Sequence, residues 1–147
     1  MYLDGHRRLG EALQAVPQRG ETQSDLLDLA RTYRQFALDN PTYYGIMFRS
    51  SVPGFEPTPE SVEVAVESLT FFVMRIEEAQ RKGELIQSDD FTPVQIAIAF
   101  WATCHGMVSL ELDGLAEEYV TWAPIFEHGV KTIVAGMHPD VVAMINA

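Results

Sequence analysis

Trp101, Cys104 and His105 are the residues of this chain whose types could do chemistry. They stand in Trp101-Ala102-Thr103-Cys104-His105-Gly106, a stretch without a charge. A thiol and an imidazole can form a nucleophile–base pair, and an imidazole that titrates near neutrality can act alone as acid or base. On a helix, however, adjacent residues project about 100° apart, so Cys104 and His105 cannot address one atom together. His6, His128 and His138 have no spacing that sets two metal ligands on one helical face. Glu111 and Asp113 lie too far along the chain from His105 to form a ligand set with it. No phosphate-binding glycine loop, nucleophile elbow or zinc signature occurs. The expectation is a protein with no catalytic residue, no cofactor and no metal.

The same residues make better sense as parts of a binding site. Indole and imidazole tips need hydrogen-bond partners when buried. His105 is the only histidine on an apolar face. It is either a core histidine bonded to a neighbour or a polar anchor in a ligand pocket. Further aromatic and methionine side chains crowd nearby elements: Phe36, Tyr43, Tyr44, Met47 and Phe48, then Phe71, Phe72 and Met74, with Met107 on the motif helix. Core filling explains any one of them. Together, adaptable methionines and rings beside a short proline-bounded helix fit a pocket for an apolar or aromatic molecule. Phe36, Tyr43, Tyr44, Met47, Phe48, Phe71, Phe72, Met74, Trp101, Cys104 and His105 are its candidate lining. Arg34, Arg49 and Arg75 leave charged ligands open.

The elements that must position these residues are helical throughout. Leu9, Ala12, Leu13 and Val16 form a stripe that stops at Pro17. Thr22 or Ser24 caps a second helix with Leu26, Leu29, Ala30, Tyr33, Phe36 and Ala37 on one face, and Asp25, Asp28, Arg31 and Gln35 away from it. Asn40-Pro41 reads as N-cap and first-turn proline of a short helix to about Phe48, followed by a loop over residues 49–57. Thr58-Pro59 starts a fourth helix, stopped by Gly83, whose expected buried stripe is Val62, Ala65, Val66, Leu69, Phe72, Val73 and Ile76. Thr92-Pro93 opens the motif helix, which ends near Asp113-Gly114. The last main helix takes in Pro124 and presents Phe126, Val130, Ile133, Val134 and Met137. The tail after Pro139 adds one more helical turn. No alternating strand pattern or internal repeat occurs, so the fold class is all-α, with about six helices.

Wound as a helix, residues 93–113 separate into three faces. Val94, Ile98, Trp101, His105, Val108 and Leu112 form one, and Ile96, Phe100, Cys104 and Met107 a second. Gln95, Ala99, Ala102, Gly106 and Ser109 form the third, small from Ala99 onward. Glycine costs roughly 1 kcal/mol against alanine inside a helix, so Gly106 points to a close neighbour. That neighbour could be a helix of the same chain or of a second copy.

Composition sets the class. The 147 residues are 47% hydrophobic and 10% aromatic, enough for one folded domain. Ten basic against 21 acidic residues give a net charge of -11, which opposes binding of nucleic acid or acidic membranes by this chain alone. One cysteine excludes an intrachain disulfide, and the first residues lack the apolar run of a signal peptide. The uncharged stretch from Phe91 to Leu110 reads as a buried helix and not as a membrane span, so a cytoplasmic location is expected.

These residues, taken in order, resemble the C-terminal regulatory domain of TetR-type transcriptional repressors, in the subgroup marked by a Trp-His-Gly signature. Trp101, His105 and Gly106 supply those letters. Residues 29–41, from Leu29 to the Asn40-Pro41 break, are similar to that subgroup's second regulatory helix. Tyr43, Tyr44, Met47 and Phe48 follow as its short aromatic helix does, and residues 126–137 are similar to its closing helix. The resemblance implies a helical domain that forms a homodimer through its last two long helices as a four-helix bundle, and a pocket for a small-molecule effector among the helices before them. It places Ala99, Ala102, Gly106, Ser109, Phe126, Val130 and Ile133 at the dimer interface. It also implies operator DNA as the partner of a full-length parent, read by a helix-turn-helix head. Met1 stands where the helix connecting to that head would emerge. The expectation is thus a single regulatory domain over residues 1–147, with the DNA-binding head absent from this chain. A stand-alone helical protein that binds a small molecule or another protein, without a link to transcription, is the alternative.

Overall fold

The computed structural model describes residues 1–49 and 58–147. Among them are seven α-helices and no strand: α1 (Tyr2–Gln14), α2 (Thr22–Asp39), α3 (Pro41–Tyr44), α4 (Pro59–Arg81), α5 (Pro93–Leu112), α6 (Trp122–Gly136) and α7 (Pro139–Ile145). A π-helical turn, Gly45–Arg49, follows α3 directly. The loop expected after Arg49 lies outside the described residues.

The boundaries follow local chemistry. Thr92 and Gln95 form a capping box at the start of α5: the Thr92 hydroxyl accepts from the Gln95 amide, and the Gln95 side chain accepts from the Thr92 amide. Gly83 and Gly114 both have φ of +74°, a left-handed conformation that lets the chain fold back on the ending helix. The Glu84 amide reaches the Ala79 carbonyl, and the Leu115 amide reaches that of Leu110.

Two helix starts expected to carry a side-chain cap lack one. Neither Thr22 nor Ser24 caps α2, whose N-cap is Glu21 with no side-chain bond. Instead Asp25 turns inward and its carboxylate accepts from the amides of Arg19 and Gly20, which buries a residue expected on the outer face. Asn40 is the N-cap residue of α3, with Pro41 in the first turn as expected, but its side chain makes no bond to that helix. Its side-chain amide donates back to the Phe36 carbonyl at 3.0 Å and so closes the end of α2.

α2 lies at the centre, against α1, α5 and α6, while α4 packs between α1 and α5. Leu26, Leu29, Tyr33, Phe36, Ile76, Ile96, Phe100, Val108, Phe126 and Val130 form the core between them. Two arginine forks tie α2 to its neighbours. Arg34 grips Glu111 of α5 with bonds of 2.7 and 2.9 Å, and Arg31 grips Glu127 of α6 in the same bidentate way. Gln80 holds the α4–α5 connection by donating to the carbonyls of Ile86 and Phe91.

The expected stripe of α4 is only partly buried. Ile76 is buried and Phe72 and Val73 are half-buried, but Val62, Val66 and Leu69 are exposed. α1 lies over the Ser68 side of α4, with Gly10 against the Ser68 hydroxyl, so the buried arc is turned towards Ser68, Phe72, Ile76 and Ala79. The motif helix α5 is likewise less covered than expected. Ile96, Ala97, Phe100, Cys104 and Val108 are buried, whereas Val94, Ile98, Ala99, Ala102, Gly106 and Leu110 are exposed. By length and composition α5 could cross a membrane, and only 28% of that span is buried within the chain.

Candidate functional site

Five side chains from four elements meet at the middle of α5. Tyr33 comes from α2, Tyr44 from α3, Phe48 from the π-turn, and Trp101 and His105 from α5 itself. The i, i+4 spacing stacks the last two, with centroids 5.2 Å apart and planes 26° from parallel. Phe48 lies within 6.2 Å of the rings of Tyr33, Tyr44, Trp101 and His105.

Their polar tips form one chain. The Trp101 indole donates to the Tyr33 hydroxyl at 3.0 Å, the two tyrosine hydroxyls are 2.8 Å apart, and Tyr44 lies 2.5 Å from His105 Nδ1. Trp101 can only donate. One arrangement then gives both hydroxyl protons an acceptor: Tyr33 donates to Tyr44, and Tyr44 donates to Nδ1. It puts the proton of a neutral His105 on Nε2. Burial holds the Tyr33 phenol well above its ordinary pKa, and proximity to Tyr44 adds to this. Burial also pushes the Cys104 thiol up to about 12, so it stays protonated at neutral pH and lacks the thiolate that a nucleophile needs.

Tyr44→Phe is therefore expected to leave the Tyr33 proton and His105 Nδ1 without each other's bridge, at a cost of about 1–3 kcal/mol. Urea unfolding of the two proteins measures it.

The candidates divide clearly. Tyr44, Phe48, Trp101 and His105 join the cluster, and Phe36, Met47 and Cys104 are buried in the core around it. Trp101 keeps 37% of its surface exposed. Tyr43 turns away: its hydroxyl donates to Asp4, and Arg8 lies over its ring. Phe71 lies under Arg75, Phe72 pairs with Phe100, and Met74 is exposed; these three α4 residues make no ring contact with the cluster. Arg34 is occupied by Glu111, and the Arg49 side chain lies outside what the structure describes.

The expected interface set also divides. Ala99, Ala102 and Gly106 are exposed on one side of α5, and Ser109 and Ile133 are half-buried. Phe126 and Val130 are not on that surface. They are buried within the chain, because α6 turns them towards the core and Arg34 covers the Phe126 ring. A Cβ added at Gly106 would meet nothing within 4 Å. The close approach inside the chain is made elsewhere, at Gly129, where Met107 lies 2.6 Å from the corresponding point.

Two residues of the site were not expected. Tyr33 was legible only as part of the α2 stripe, without a sign that its hydroxyl links two others. His6, on α1, is 5% exposed and sits between Tyr2 at 4.6 Å and Phe48 at 5.3 Å. The Tyr2–His6 spacing of i, i+4 was the available signal. Burial lowers the His6 pKa below 6.5. The folded chain thus holds this proton less readily than the unfolded chain, so stability falls as pH drops through 6.5 and levels off below the folded-state pKa. A lower urea midpoint at pH 5.5 than at 7.5 is expected, with the difference smaller in His6→Phe.

Fold and site define a domain whose described residues are helical and gather around a polar-tipped aromatic cluster. The chain belongs to the family of tetracycline repressor-like C-terminal domains, whose model matches residues 26–133. A solved protein of unknown function from Rhodococcus sp. RHA1 has the same fold, with a TM-score of 0.81 and 24% identity, covering 93% of this chain and 69% of that one. A proposed regulatory protein, SCO4313, is 28% identical with a TM-score of 0.72, covering 91% of this chain and 70% of that one. No curated protein matches the sequence.

Proposed function

We propose that this chain is the effector-sensing and dimerisation domain of a cytoplasmic TetR-like transcriptional regulator of the Trp-His-Gly subgroup. The effector is a small apolar or aromatic molecule, and the response is a change in DNA binding by a helix-turn-helix head. One observation carries the reading: α5 serves two places at once. Its inner edge supplies Trp101 and His105 to the aromatic cluster, and its outer edge leaves Ala99, Ala102 and Gly106 uncovered beside exposed Val94 and Ile98. A molecule that alters the inner contacts therefore moves the surface against which a second copy packs, which couples the two sites.

Light scattering at micromolar concentration tests the dimer. Twice the chain mass is expected, and a monomer at every concentration sinks it. Saturable quenching of Trp101 emission by uncharged aromatic molecules, absent in Trp101→Phe, tests the sensing role.

A further inference from the structure

His6 is the one buried imidazole whose nitrogens both lack a hydrogen-bond partner among the described residues. Buried polar groups are nearly always paired, and an unpaired one in a folded protein calls for a reason. It is walled by aromatic rings on two sides, Tyr2 and Phe48. Gly5 precedes it in α1, where Met47 and Tyr43 come so close that a Cβ would meet the Met47 sulfur at 2.5 Å. α1 is thus pressed onto the turn that carries Phe48.

Phe48 has the opposite character. Its ring touches five others, those of His6, Tyr33, Tyr44, Trp101 and His105, yet it remains half-buried and so reachable from outside. It is held in a π-turn, a rare form that recurs at functional sites. A six-membered ring in its place would inherit aromatic contacts on every side and come beside His6.

We propose that His6 is the hydrogen-bonding anchor of the effector, and that the effector is an uncharged planar ring bearing a hydroxyl, seated where the Phe48 ring now lies. This rests on the reading of the cluster as an effector site. A neutral imidazole offers one donor and one acceptor, and a phenolic hydroxyl can satisfy either. Two of the described cations nearby are already engaged, Arg8 with Asp4 and Arg34 with Glu111, which favours an uncharged ligand over a carboxylate. Desolvation lowers the His6 pKa and so favours the neutral imidazole, a hydrogen-bonding group and not a counter-ion.

Phenol and toluene have the same ring and differ in the group that would meet His6. Calorimetric titration of the native chain is expected to give phenol about tenfold tighter than toluene, the worth of one hydrogen bond to a buried partner. His6→Phe should abolish the preference for phenol or reverse it towards toluene, because the phenol hydroxyl would then be buried without a partner. Proton–nitrogen NMR of the imidazoles gives a readout that needs no variant: the His6 nitrogens should shift with phenol and stay put with toluene. Unmoved His6 resonances at saturating phenol, or a tenfold preference that survives in His6→Phe, overturn the anchor while leaving an apolar pocket standing. Phe48→Ala should bind both probes more tightly. If neither probe binds native chain or Phe48→Ala, the effector site falls with the anchor.

Discussion

Ala102→Glu is expected to scatter light as a monomer under conditions in which the native chain is a dimer. Ala102 lies on the uncovered side of α5, between exposed Ile98 and Gly106, with Ala99 and Val94 on the same flank. In a two-fold dimer each substitution enters the seam twice. A carboxylate taken out of water into an apolar seam costs several kcal/mol, which corresponds to a rise of at least a thousandfold in the dimer dissociation constant. Within one chain the side chain is exposed, so the helix itself tolerates glutamate, a residue of nearly the same propensity as leucine. Circular dichroism of the variant should match the native spectrum. A variant that stays dimeric removes this face of α5 from the interface. Gly106→Ala should weaken the dimer more gently, since nothing within the chain occupies the space beside it.

What could be read from the sequence was whatever a few consecutive residues decide. Pro41, Pro59, Pro93 and Pro139 open helices, and Gly83 and Gly114 close them, because a fixed φ or a left-handed residue acts over one turn. The partition of α5 into faces was also legible, since it follows from pitch alone. Which face is covered was not. Val62, Val66 and Leu69 form a regular apolar stripe, but α1 lies over the Ser68 side of α4 and leaves them in solvent. Asp25 was placed outside because its charge suits water, and the loop amides it accepts from come from residues five and six positions earlier. His6 is the same failure at the site. Beyond the i, i+4 spacing to Tyr2, nothing around it in sequence predicts that the π-turn brings Phe48 against its ring. Trp101, His105, Tyr44 and Phe48 were legible as a group of rings on neighbouring elements and not one by one; Tyr33 was missed because a hydroxyl at the end of a core ring announces no partner.

Phe126→Ala separates the fold from the interface. Phe126 is 1% exposed, packed in the core under the Arg34 guanidinium, whose carbon is 5.8 Å from the ring centroid. Truncating a buried phenylalanine costs about 3–5 kcal/mol through lost transfer energy and the cavity left behind. That is a large share of the roughly 5–15 kcal/mol that stabilises a domain. Arg34 would keep Glu111 but lose the ring beneath it, so the clamp between α2 and α5 loosens as well. Urea unfolding should show the midpoint fall sharply while the slope stays near that of the native chain. The decisive comparison uses Ala102→Glu as background. A residue at a dimer seam contributes nothing in a monomer, so its truncation there would be nearly silent. A core residue loses the same 3–5 kcal/mol in monomer and dimer alike, and that is the result expected for Phe126.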